Sequence, residues 1–178
     1  MNAFGELWRA VIGWLDLLTG RPAEEKFNLG PTGLVNSTGF YFAVVLLLIA
    51  VESSLSGFPG WTPVILSLIV NATRLMTVWL MIWISARVLA APAIAMAVPS
   101  TYAMAFILAV SLPLAYLAGS NLLVSTLGVL GFMLFRVARG IGKLRIGISI
   151  AFAILCIVAL VAVRVGLYML TTGGQGIG

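Results

Sequence analysis

Ser67, Asn71 and Arg74 lie near the middle of an apolar stretch at 63–90. Steps of four and then three put them on one face of a helix, with Ser85 further down roughly the same stripe. A charged arginine near mid-membrane costs roughly 2.5–3.5 kcal/mol on insertion scales, so other groups must offset it. The stripe is therefore expected to face protein or a wet crevice, with the other helices packed around this one. Two roles are open. Ser67, Asn71 and Arg74 could line a path for an ion or small solute. Alternatively Arg74 is structural, satisfied by backbone carbonyls, Asn71, a lipid phosphate or an acidic group on another subunit. The structural role is favoured, because a single buried arginine does not make a proton relay.

Two further charges fall inside apolar segments. Glu52 lies about one turn from the far end of the first, and Arg164 one to two turns from the far end of the last, at 1.5 Å of rise per residue. Matching depth predicts an ion pair or a shared water between them; the alternative is that each snorkels outward.

Other chemistries find little support. Histidine is absent and Cys156 is the one cysteine. An intramolecular disulfide is ruled out, and haem, iron–sulfur and zinc sites, which want His or several Cys, are not expected. A Ser–His–Asp triad cannot form without His, and both lysines lie outside the apolar segments. No cofactor and no catalysis are expected of this chain.

The composition names the solvent. The chain has 178 residues, 62% hydrophobic and 8% charged, where soluble domains carry about 25% charged. The expected class is all-α: a polytopic membrane protein of five transmembrane helices plus an N-terminal amphipathic interfacial helix. The net charge of +5 is no nucleic-acid signal, since no basic run with interleaved aromatics appears.

Residues 1–35 form the first region. At 1–19, Phe4, Leu7, Trp8, Val11, Trp14, Leu15 and Leu18 recur at helical steps, with Glu6, Arg9 and Asp16 toward the other side. Trp8 and Trp14 suit a helix lying in the membrane interface; the alternative is a helix docked on the membrane domain. A polar linker follows. The transmembrane domain covers 36–170, with spans at 36–56, 63–90, 99–118, 122–137 and 146–170. Gly57-Phe58-Pro59-Gly60-Trp61 makes a tight turn, with Trp61 as an interface anchor. Pro113 should kink the third span, with Ser111 helping to satisfy the loosened backbone. Residues 171–178 read as a flexible tail.

The cations orient these spans. With the N-terminus inside, Arg9, Arg21, Lys26 and Arg87 fall on that side, as does the basic loop of Arg136, Arg139, Lys143 and Arg145. The opposite loops and the tail hold no Lys or Arg, which is a positive-inside pattern. The N-terminus is expected in the cytoplasm and the C-terminus outside. No cleavable leader is evident, and a bacterial inner membrane fits.

The order of these features resembles the Yip family of small five-span membrane proteins. The similarity spans 36–170. It rests on Ala86-Arg87-Val88-Leu89-Ala90-Ala91 at the end of the second span, on Tyr102-Ala103-Met104-Ala105 and Ser111-Leu112-Pro113 in the third, and on the basic turn before the last. The resemblance implies a non-enzymatic protein linked to membrane organisation or partner binding, and carries over no site residues.

The expected function is that of a non-catalytic accessory, scaffolding or assembly subunit of a larger membrane complex. Its partners would be the bilayer and either other subunits or copies of itself. The alternative is a small-solute or ion transport component built on the polar stripe.

Overall fold

The computed structural model describes the backbone of residues 3–118 and 122–172, and the side chains of 5–111 and 126–169. Among these residues the chain is helical throughout, in six helices: α1 (Ala3–Thr19), α2 (Pro31–Ser56), α3 (Trp61–Leu89), α4 (Ala93–Ala118), α5 (Leu122–Gly140) and α6 (Ile146–Thr172). A short 3₁₀ turn, Glu24–Lys26, lies between α1 and α2.

Four helices are long and apolar enough to cross a bilayer: α2, α3, α4 and α6. With no water to satisfy bare N–H and C=O groups, the helix is the form such segments must take. This marks an integral membrane protein. The span expected at 122–137 falls in α5, part of which lies outside the described side chains.

Local signals explain the boundaries. Gly20 has φ +85°; its N–H donates to the Leu17 carbonyl at 3.2 Å, and that of Arg21 to the Asp16 carbonyl at 2.8 Å. These two bonds close the last turn of α1 in a Schellman pattern. Pro31 opens α2, where its missing N–H costs nothing. Between α2 and α3 the chain turns on Gly57 and Gly60, with φ of +83° and +92°. Phe58 and Trp61 pack edge to face across that turn, 5.4 Å between centroids. α3 ends on Ala90 in the left-handed region, its N–H bonded back to the Ala86 carbonyl.

The hub of the bundle is α4, not α3. The helix packs against α2, α3, α5 and α1, whereas α3 packs mainly against α6 and α4. Within α4, 56% of the apolar stretch is buried, against 22–28% in α2, α3 and α6. The cause is the small residues around Ala97, Ser100, Ala103 and Ala105, all buried, which let neighbouring backbones come close. The polar stripe on α3 does point inward, while Ile65, Ile69, Met76 and Leu80 on its other side are about half exposed. α4 also starts six residues before the expected position, so Pro99 lies inside the helix and is fully buried. Ser100 and Thr101, which follow it, bond back to the carbonyls of Met96 and Ala97, both at 2.8 Å.

Candidate functional site

Tyr41 of α2 is completely buried, and its hydroxyl donates to the Asn71 carbonyl of α3 at 3.1 Å. A buried phenol needs such a partner. The Asn71 side-chain amide in turn donates to the Ser67 carbonyl at 2.9 Å. Of the three polar side chains singled out on α3, that of Asn71 is thus engaged within α3, at its crossing with α2.

Arg74 has a different setting. It lines a cavity of about 160 Å³ to which α2, α3, α4, α5 and α6 all contribute. The polar lining is Tyr41, Arg74, Ser111, Thr126 and Arg164; Met104, Ile107 and Leu130 are among the apolar walls. The two guanidiniums line the same cavity, one from α3 and one from α6. Ser111 donates to the Leu108 carbonyl at 2.8 Å, whereas the carbonyl that Pro113 leaves without its helical donor is that of Ala109.

The Glu52–Arg164 pair does not form among the described residues, where Lys143–Glu24 is an ion pair at 3.1 Å. Glu52 is exposed on α2, and Arg164 shares the cavity with Arg74. Depth was matched but direction was not: α2 packs on α4 and α3, while α6 packs on α5 and α3. Nor does a carboxylate reach the cavity from elsewhere. The five acids of the chain are Glu6, Asp16, Glu24, Glu25 and Glu52, and none lines it.

The cavity lies in one half of the bundle. Toward the end where α1 sits, Leu75, Val78, Met96, Val98 and Leu134 are at most 2% exposed and fill the interior.

At that closed end α1 is fastened across the bundle. Arg136 of α5 donates through Nε to the Leu17 carbonyl at 2.6 Å, and through a second guanidinium nitrogen to the same oxygen. Asn36 of α2 donates to the Glu6 carboxylate at 2.5 Å. Trp14, expected at the interface, is 3% exposed and packs edge-on to Phe27, 6.3 Å between centroids. It faces protein because Ala10, Trp14 and Leu17 form the docked side of α1. Trp8 and Trp61 are open, at 61% and 74% exposed. Leu15 and Leu18 also stay exposed, so α1 is docked on one side and free on the other.

The basic loop residues gather at this same end. Arg139 donates to the Leu144 carbonyl at 3.0 Å, Lys143 meets Glu24, and Arg145 is exposed. Arg87 sits over the Trp83 ring, 3.9 Å from its centre.

The sequence reading missed Tyr41 and the meeting of Arg74 with Arg164. A tyrosine within an apolar run is a usable sign of a buried polar partner. The arginine pair depends on α3 packing against α6, which no spacing in the chain reveals. Comparison with known protein families, curated proteins and solved structures finds no match.

Proposed function

We propose that this chain is a non-catalytic integral membrane protein acting as an accessory, scaffolding or assembly subunit of a larger membrane complex. It would cross a bacterial inner membrane five times, with α1 at the cytoplasmic face and the C-terminus outside. The gathering of Arg87, Arg136, Arg139, Lys143 and Arg145 at the α1 end supports that orientation. The observation that carries the reading is α1 itself. Arg136 and Asn36 tie down one side, and Trp8, Leu15 and Leu18 remain open on the other. A helix held this way is a rigid ledge for another protein at the membrane surface.

A photo-crosslinking residue at Leu15 or Leu18, activated in native membranes, tests this. A discrete protein adduct at these positions, lost when the crosslinker sits at buried Leu17, is the expected result. Lipid adducts alone at both exposed positions would end the ledge reading.

The arginine-lined cavity favours a second reading, a small-solute or ion transport component. Arg74→Ala separates the two: it should impair assembly under the first and solute flux in reconstituted vesicles under the second.

A further inference from the structure

We propose that Arg74 and Arg164 together bind a phosphate-type oxyanion in the cavity between α3 and α6. Three observations converge. Two cations line one pocket, and every acidic side chain of the protein lies elsewhere. Arg74 is only partly exposed, and a cation held there beside a second cation is stabilised by an anion placed between the two. The volume, about 160 Å³, equals roughly five waters at 30 Å³ each and admits a tetrahedral anion.

The donor set also fits. Each guanidinium offers five N–H donors in a planar fork that matches phosphate oxygens two at a time. The Tyr41 and Ser111 hydroxyls already give their protons to the Asn71 and Leu108 carbonyls, so the charge that recognises the anion comes from the two arginines, with the Thr126 hydroxyl also on the wall. The remaining wall, including Ile107, Leu130 and Leu160, is apolar. It accepts a hydrocarbon substituent, so the oxyanion is either a free phosphate or the phosphate of a lipid headgroup.

The test uses the purified full-length protein in a non-ionic maltoside detergent, followed by thermal unfolding. One arm adds inorganic phosphate, with sodium chloride at equal ionic strength as control. The other adds short-chain phosphatidic acid, with the phosphate-free short-chain diacylglycerol as control. A saturable rise in Tm in either arm, absent from its control, is expected, and the arm that responds identifies the source. Arg164→Gln and Arg74→Gln should each raise the half-saturating concentration about tenfold or more. Arg164 is exposed, so its replacement keeps the test valid if Arg74→Gln does not fold. No rise in either arm, or the same half-saturation in Arg164→Gln as in the unaltered protein, would overturn the proposal. The crosslinking result at Leu15 is independent of this outcome.

Discussion

Arg136 donates to the Leu17 carbonyl across 119 residues of chain, at 2.6 Å from Nε. The same oxygen accepts the Gly20 N–H that closes α1, so one cation both caps a helix and ties it to the bundle. A cation at a helix C-terminus also meets the favourable end of the dipole. Hydrogen bonds to charged groups contribute about 1.5–3 kcal/mol, and partial exposure of Arg136 puts this one at the lower end. Arg136→Ala should speed amide hydrogen exchange across α1 about tenfold while leaving α4 unchanged. Equal protection of α1 in both proteins would show that apolar packing alone holds it.

The second fastening of α1 is steric. A Cβ placed on Gly140 would come within 2.7 Å of Leu17 Cδ2, closer than real contacts allow. A lone Cβ is met by a shift of the Leu17 side-chain end, so Gly140→Ala should change little, whereas the two further methyls of Gly140→Val should disturb the seat of Leu17 and give the same exchange pattern as Arg136→Ala. Because both act on Leu17, the double variant should fall short of the sum of the two effects. Full additivity would mean that the two residues hold α1 independently.

Thr101 joins two helices at the hub. The Trp79 indole N–H donates to its hydroxyl at 3.0 Å, and the hydroxyl donates to the Ala97 carbonyl at 2.8 Å. Thr101→Val keeps the shape but leaves the indole without its partner. Interhelical hydrogen bonds within membranes contribute about 0.6 kcal/mol on average, reaching about 1.7. Reversible unfolding in mixed micelles should show a loss in that range, and Trp79→Phe in the Thr101→Val background should cost less than it does in the unaltered protein.

Much of the helical framework was legible because it follows from single-segment properties. Apolar length located α2, α3 and α6, and Gly57 with Gly60 located the turn between α2 and α3. What depends on two segments was not legible. The polar stripe of Ser67, Asn71 and Arg74 drew attention to α3, but helices pack most closely where side chains are small, and the alanines of α4 made that helix the hub. Depth suggested Glu52 for Arg164, yet azimuth decides contact, and α6 turned Arg164 toward the cavity it shares with Arg74. Trp14 carried the same ambiguity, since an amphipathic helix with aromatic residues reads alike whether its apolar side meets lipid or protein.

Ala90 stores a removable cost. It has φ 52°, its N–H bonds to the Ala86 carbonyl, and the Ala91 N–H reaches the same oxygen at 3.2 Å. These bonds end α3 and set the chain toward Pro92 and α4. For a residue with a Cβ the left-handed region costs roughly 1–2 kcal/mol, which glycine avoids. Glycine also loses more freedom on folding, which offsets part of the gain. Ala90→Gly should therefore stabilise the protein by about 0.5–1 kcal/mol, raising Tm by a few degrees at this chain length. Ala91→Gly is the control: Ala91 is not among the positive-φ positions, so there glycine should be neutral or destabilising. If the two variants shift Tm alike, the strain at Ala90 is not what limits this turn.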